Sequence, residues 1–262
     1  MAGMPIWYEL MVPDPAAVAQ FYGATLGWEI PAMGNPMPNG SEYREIARQD
    51  GGMEGGVLTL TPEMTAGGAM PGWIIYFHVE DVEAAIAATT AAGGKLWMDQ
   101  TTPGIGRMAM LSDPQGAAFY AMNPTPPADR PDAVSDVFKF DTPGHCAWNE
   151  LATDDAPGQI DFYTALFGWQ VIGEMPMPGE HIYKFLEAEG VGIGAIGSMK
   201  ADGARNAWMP YFRVADIAAA IESVPANGGT ILNGPHDVPG GDRIIIARDP
   251  AGAAVGLVGK AG

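Results

Sequence analysis

The sequence predicts an α+β fold assembled from four βαβββ units, two in each of two tandem halves. Three observations carry that prediction. Trp7-Tyr8-Glu9-Leu10 returns as Trp148-Asn149-Glu150-Leu151, and both copies continue at the same spacing into Asp14 or Asp155, Phe21-Tyr22 or Phe162-Tyr163, and Gly27-Trp28 or Gly168-Trp169. Within each half the order of strand, Asp cap and helix restarts once, at Trp73 to Asp81 and again at Trp208 to Asp216. Gly 36 and Pro 23 together exceed a fifth of the 262 residues, which breaks the chain into short strands and many turns.

The first unit opens with alternation from Ile6 to Val12, the period of a half-buried strand. Asp14 is placed to cap the following helix, with Pro15 at its first position and Gly27 as its stop after about Leu26. Short strands are expected at Trp28 to Ile30, Tyr43 to Ala47 and Gly56 to Leu60. The second unit repeats this order. Its strand is Trp73 to Val79, its cap Asp81, and its Ala-rich helix ends at Gly93-Gly94. Strands then follow near Lys95 to Met98, Arg107 to Leu111 and Ala117 to Met122.

Between the halves, Asn123-Pro-Thr-Pro-Pro-Ala-Asp-Arg-Pro131 through Pro143 is rich in proline and lacks an apolar period, as an extended linker does. The expected division is a first domain over 1–123, a linker over 124–143 and a second domain over 144–262.

Composition excludes several function classes. A net charge of -18, from 13 Lys+Arg against 31 Asp+Glu, repels phosphate backbones, so no nucleic-acid partner is expected. It attracts cationic small molecules instead. Cys146 is the only cysteine, which rules out an internal disulfide or a thiolate zinc cluster and suits a reducing cytoplasm. No apolar run approaches the roughly 18 residues of a membrane span, so a cytoplasmic protein with no membrane partner is expected. Neither a phosphate-loop pattern nor a Gly-x-Ser-x-Gly elbow occurs. His145 stands beside Cys146, but neighbouring strand residues face opposite ways, so a thiol–imidazole pair is not expected there.

Three motifs together carry a family resemblance: V-x-D-x(6)-F-Y-x(4)-G-W from Val12 to Trp28, with its copy from Thr153 to Trp169; Y-F-x-V-x-D at Tyr76 to Asp81 and Tyr211 to Asp216; and D-P-x-G at Asp113 and Asp249. The sequence resembles the vicinal oxygen chelate superfamily, which includes glyoxalase I, bleomycin-resistance proteins and extradiol dioxygenases. The resemblance covers nearly all of the chain outside the linker. It implies two tandem domains, each of paired βαβββ modules curled into an incomplete barrel around a cavity, where a divalent metal chelates adjacent substrate oxygens. It also implies a monomeric pseudo-dimer or a homodimer.

Strand parity, taken with the resemblance, sorts residues by face. Tyr8, Leu10 and Val12 share the helix side, whereas Trp7, Glu9 and Met11 face the cavity wall. Tyr76 and His78 have the inward parity on the fifth strand, as do Trp148 and Glu150, and Tyr211 and Arg213, in the second half. The resemblance places metal ligands at Trp7, Ile74 and Tyr120, and at Trp148, Met209 and Gly256. None is a usual divalent ligand, so the standard site is missing from both halves and no cofactor is expected. A relocated divalent ion would need Glu9 with His78, or Glu150 with His181 or His236.

Glu9 and Glu150 are the expected polar anchors or acid–base groups, because a carboxylate set among Trp, Met and Tyr is desolvated. His78 is a candidate to compensate Glu9, and Arg213 to compensate Glu150. The competing reading of each is a satisfied buried pair. Trp7, Tyr76, Tyr120, Trp148 and Tyr211 would supply flat apolar walls, and each is equally well explained as core. Three functions stay open on the residues: metal-independent small-molecule binding, a glyoxalase-like or dioxygenase-like enzyme with a relocated metal or acid–base chemistry on Glu150, and a protein whose cavities are filled by its 16 Met residues.

Overall fold

The structure is a computed structural model and describes residues 2–201 and 203–260. In the first half, β1 (Pro5–Val12), α1 (Pro15–Leu26), β2 (Asn35–Pro36), β3 (Glu42–Ala47), β4 (Met53–Thr59) and α2 (Pro62–Ala66) precede β5 (Gly72–His78), α3 (Val82–Ala91), β6 (Lys95–Thr102), β7 (Gly106–Ser112) and β8 (Ala118–Pro124). The second half holds β9 (Cys146–Ala152), α4 (Ala156–Phe167), β10 (Gln170–Glu174), β11 (Tyr183–Ala188) and β12 (Val191–Gly197). It ends with β13 (Ala207–Arg213), α5 (Ile217–Ala226), β14 (Thr230–Val238), β15 (Asp242–Arg248) and β16 (Ala254–Lys260). Hydrogen bonding orders the strands of the first half β2-β3-β4-β1-β5-β8-β7-β6 and those of the second half β10-β11-β12-β9-β13-β16-β15-β14. The fold is α+β, as expected.

The caps lie where the sequence placed them. Asp14 accepts from the Ala16 and Ala17 backbone N–H groups at 3.1 and 3.2 Å, and Gly27 ends α1 in the left-handed region at φ 73°. Asp155 and Gly168 do the same for α4, and Asp81 and Asp216 cap α3 and α5. Each satisfies N–H groups that the first helical turn leaves without an intrahelical acceptor.

One detail differs from expectation and two add to it. Trp28 to Ile30 is not a strand; only Glu29 bridges, to Ala47, because Trp28 turns inward and donates to the Gly144 carbonyl at 2.8 Å. Helix α2 has no counterpart among the expected elements; Thr61 accepts from the Met64 N–H and Pro62 occupies its first position. The proline-rich linker is anchored at its end: Ser135 donates to the Ile6 carbonyl at 2.7 Å, Val137 is buried, and Cys146 N–H reaches the Val137 carbonyl.

The compact units cut across the sequence halves. One comprises Met1–Ile6, Ile75–Ser135 and Trp148–Trp208; the other comprises Trp7–Ile74, Asp136–Ala147 and Met209–Gly262. We call them the first and second units. Each takes one βαβββ module from either half.

The recurring motifs explain this pairing. In the second unit Tyr22 donates to Asp249 Oδ2 at 3.0 Å and accepts from Trp73 Nε1 at 3.1 Å, while Asp249 Oδ1 closes its own turn on the Ala251 and Ala253 N–H groups. In the first unit Tyr163 donates to Asp113 Oδ2 at 3.0 Å and accepts from Trp208 Nε1 at 2.9 Å, with Asp113 Oδ1 taking Gln115 and Ala117. Aromatic rings pack around each hydroxyl. Tyr8, Tyr22, Trp28, Trp73 and Phe212 cluster in the second unit. Phe77, Phe119, Tyr163, Trp169 and Trp208 cluster in the first. Phe21, Phe77, Phe162 and Phe212 are all buried, as their helix-side positions require.

Burial raises the Tyr22 and Tyr163 phenols well above their ordinary value, and the carboxylate each faces adds to the rise. Replacing Tyr22 by Phe removes the donor to a buried carboxylate and the acceptor for an indole, which should cost about 1–3 kcal/mol in urea unfolding, and Tyr163→Phe should match it. A phenol with a raised folded-state pKa contributes stability that is present below its unfolded value of about 10 and lost as the pH climbs past it. Unfolding free energy should therefore begin to fall as the pH rises through about 10 and keep falling above it, less steeply in either Phe variant.

Candidate ligand site

Strand parity divides β1 into two faces. Tyr8, Leu10 and Val12 are fully buried on the side of the aromatic cluster. On the opposite side of β1, Trp7 is half-buried and Glu9 is buried. Parallel pairing sets Glu9 opposite Gly56 of β4, and the β3 residue Tyr43 covers Gly56 so closely that any side chain there would meet the Tyr43 ring. Trp7 Nε1 donates to the Tyr43 hydroxyl at 2.7 Å.

The first unit holds the duplicate. Trp148 Nε1 donates to the Tyr183 hydroxyl at 3.1 Å, and that hydroxyl donates to Glu150 Oε2 at 2.7 Å. Glu150 lies opposite Ala195 of β12, and Trp148 and Glu150 are both half-buried. Burial pushes the Tyr183 phenol above its ordinary range, and the Glu150 charge pushes it further. The phenol therefore stays protonated and serves as a donor. Tyr43 and Tyr183 were absent from the sequence expectations. Their signal was their matched position at the head of the third strand of each module, in Tyr43 to Ala47 and Tyr183 to Ala188.

The other predicted residues settle differently in the two halves. Tyr76 stacks on Tyr120, with ring centroids 4.0 Å apart and planes 14° apart, and both are buried. Tyr211 pairs with Gly256, and its ring covers that glycine, so the missing side chain leaves no extra room beside Tyr211. His78, at the end of β5, is half-buried and its main chain bonds to Gly3 and Met4. Arg213 donates to Asp242 through Nη1 and Nη2 at 3.3 and 2.6 Å and to the Phe140 carbonyl at 2.6 Å. Its charge, expected to compensate Glu150, is matched by Asp242, whose carboxyl it holds below the usual range. His181 contacts Ser198 and His236 contacts Asn233, both exposed.

The strand positions that carry metal in the resembled family do not fit one here. Ile74, Met209 and Gly256 offer no hard donor, Trp7 and Trp148 direct their indole N–H groups to tyrosines, and Tyr120 is stacked. Two open depressions, of about 510 and 380 Å³, lie elsewhere: one is lined by Trp28, Glu29, Glu45 and Met53, the other by Gln115, Asp155 and Phe162.

Sequence reasoning missed a second polar cluster in the second unit. Glu54 is fully buried; its Oε2 accepts from Arg48 Nη1 at 3.0 Å and its Oε1 from the Cys146 N–H at 2.9 Å. Arg48 Nη2 grips Asp136 at 2.8 and 2.9 Å, and Nε reaches Asp50 at 3.2 Å. Burial raises the Glu54 pKa, against the pull of Arg48. Asp50, Asp136 and buried His145 bring one donor atom each within 4.8 Å of one another, the three-residue group of metal-competent side chains found among the described residues.

Comparison with known proteins matches this architecture. The profile of the Glyoxalase/Bleomycin resistance protein/Dioxygenase superfamily matches residues 6–120 and 142–257. The chain belongs to this superfamily. It is 30% identical over 252 residues to a Mycobacterium tuberculosis protein, CFP32, whose name assigns it provisionally as a glyoxylase, covering 96% of this chain and 92% of that protein. It is likewise 30% identical to the anthracycline biosynthesis protein DnrV of Streptomyces peucetius, covering 98% and 93%. Among solved structures, the Mn(II)-bound glyoxalase of Novosphingobium aromaticivorans superposes with a TM-score of 0.63 at 16% identity, covering 100% of this chain and 83% of that one. Homoprotocatechuate 2,3-dioxygenase of Brevibacterium fuscum superposes with a TM-score of 0.65 at 15% identity, covering 98% and 71%. These structures share the fold.

The Arg48–Glu54 pair makes a stability prediction. Arg48→Met strands a buried carboxylate and should cost about 3–5 kcal/mol in chemical denaturation, whereas Arg48→Met combined with Glu54→Leu should recover most of that loss.

Proposed function

We propose that this superfamily member binds a small organic molecule carrying an amine or another cationic group, holding it against aromatic side chains with Glu150 and Glu9 as polar anchors and no metal at the strand positions. The observation that carries this reading is the Trp148–Tyr183–Glu150 hydrogen-bond chain with its counterpart, Trp7–Tyr43, beside Glu9. Both modules keep the indole-to-tyrosine bond, with a glutamate two residues further along the strand. A carboxylate fixed by a protonated tyrosine beside an indole suits a flat cation, through charge and through the ring face. The charge of -18 supports the same ligand class by drawing cations toward the protein. The names of two relatives point to anthracyclines, which are flat fused-ring molecules bearing an amine. We place the protein in the cytoplasm, which its single cysteine suits, as a single-chain pseudo-dimer or a homodimer.

A second reading, metal-free acid–base catalysis on Glu150, draws on the same 2.7 Å contact, which sets a proton donor against a carboxylate.

Titration with daunorubicin, followed by tryptophan fluorescence, tests the binding reading. Glu150→Gln should weaken binding about 10–100-fold, the loss of a charged partner worth about 1.5–3 kcal/mol, and Glu9→Gln should act in the same direction. Raising salt from about 0.05 to 0.5 M should also weaken it. Equal affinity across the variants and salts rejects the reading. Turnover of the methylglyoxal–glutathione hemithioacetal by chelator-treated protein, abolished by Glu150→Gln, favours catalysis instead.

A further inference from the structure

We propose that Asp50, Asp136 and His145 form a binding site for one divalent transition-metal ion, of the Zn²⁺ class, that clamps the segment joining the two sequence halves onto the β3–β4 turn. The site lies wholly within the second unit and is independent of the ligand reading above.

His145 supplies the deciding observation. Its side chain is buried, its Nδ1 approaches the Pro143 carbonyl at 3.3 Å, and its Nε2 has no hydrogen-bond partner. A buried ring nitrogen without a partner is costly, so an occupant that satisfies it is favoured. Nε2 points at carboxylates: Asp50 Oδ2 lies 3.5 Å away and Asp136 Oδ2 3.9 Å away. Ligand bonds of about 2.0–2.2 Å set neighbouring donors around such an ion roughly 3–3.5 Å apart, close to the spacing of His145 Nε2 from each carboxylate, and the three donors already lie within 4.8 Å of one another. One imidazole nitrogen with two carboxylate oxygens suits Zn²⁺, Co²⁺ or Mn²⁺ better than Mg²⁺ or Ca²⁺, which prefer oxygen alone. Asp50 and Asp136 are exposed, which leaves a fourth position to water.

The surrounding charges accept a cation. Arg48 is matched by fully buried Glu54, and it holds Asp50 through Oδ1, leaving Oδ2 turned toward His145. Its grip on Asp136 fixes that carboxylate as an outer partner orients a metal ligand. Two cations already share Asp136 Oδ2, Lys139 Nζ at 3.0 Å and Arg48 Nη2 at 2.9 Å; the Lys139 pair is solvent-exposed and readily exchanged, so the ion displaces Lys139 while Arg48 keeps its hold through Oδ1. Three carboxylates face two cationic side chains, so the cluster keeps a negative excess.

Isothermal titration of the full-length, chelator-treated protein with ZnCl₂, and optical titration with CoCl₂, provide the test. The expected result is one ion per chain, visible Co²⁺ bands, loss of both signals in His145→Gln, and binding at least ~10-fold weaker in Asp50→Asn and Asp136→Asn. Asp50 is exposed, so Asp50→Asn keeps the test valid should His145→Gln fail to fold. Glu150→Gln should bind the ion like the unaltered protein, which separates this site from a metal held at Glu150. Absence of stoichiometric binding, or unchanged affinity in Asp50→Asn, overturns the proposal.

Discussion

A tyrosine hydroxyl given to a buried aspartate does more than any other contact to determine how this chain is assembled. Tyr22 to Asp249, and Tyr163 to Asp113, each join a helix from one sequence half to a turn from the other. The aspartate cannot be left without donors in so dry a setting, since burial already raises its pKa. Its own turn supplies two backbone N–H groups, and the tyrosine supplies a third donor. The indole of Trp73 or Trp208 then satisfies the tyrosine in turn. This closed polar chain inside an aromatic cluster fixes geometry as well as energy, because a shifted module leaves a carboxylate and an indole unpaired together.

Much of this was readable, for a local reason. Asp14, Asp81, Asp155 and Asp216 cap the helices that follow them by contacts spanning two or three residues, and Gly27 and Gly168 end theirs by a backbone conformation that glycine adopts freely. The faces of Tyr8, Phe77 and Phe212 follow from alternation alone. What was hidden is the choice between equivalent partners. The Tyr of either Phe-Tyr pair suits the Asp of either D-P-x-G turn, and a duplicated sequence carries nothing local that says which module meets which. The Trp28 segment failed as a strand because its indole seeks the Gly144 carbonyl, over a hundred residues away.

The candidate site divides along the same line. Trp7 and Glu9 on β1, and Trp148 and Glu150 on β9, could be named as candidates because each pair alternates along its own strand. Their tyrosine partners come from β3 and β11, where nothing in the strand itself signals an indole or carboxylate neighbour. Arg48, Glu54 and Asp136 were not among the expected site residues, and His145 was weighed only beside Cys146, because nothing local signals that the proline-rich connector meets the β3–β4 turn, where Arg48 Nη2 holds both oxygens of Asp136. Arg213 shows the converse error: inward parity made it a partner for Glu150, and the carboxylate it meets is Asp242, two strands along the sheet.

Strand parity also explains how such a chain can keep the superfamily's fold without its strand ligands. The contacts that hold each unit together belong to one face: Tyr8 against Phe212, Phe77 against Trp169 and Trp208. Residues one position away belong to the other: Trp7, Glu9, Tyr76 and Tyr211. A substitution at Tyr120 or Gly256 changes what meets Tyr76 or Tyr211 and leaves the Tyr–Asp chain untouched. Stacked rings in one half and a ring over glycine in the other are two solutions to filling the same position, and neither disturbs the cluster behind it. The period of two along a strand therefore separates the residues that hold each unit together from those proposed to meet a ligand, so a change in the second set need not disturb the first.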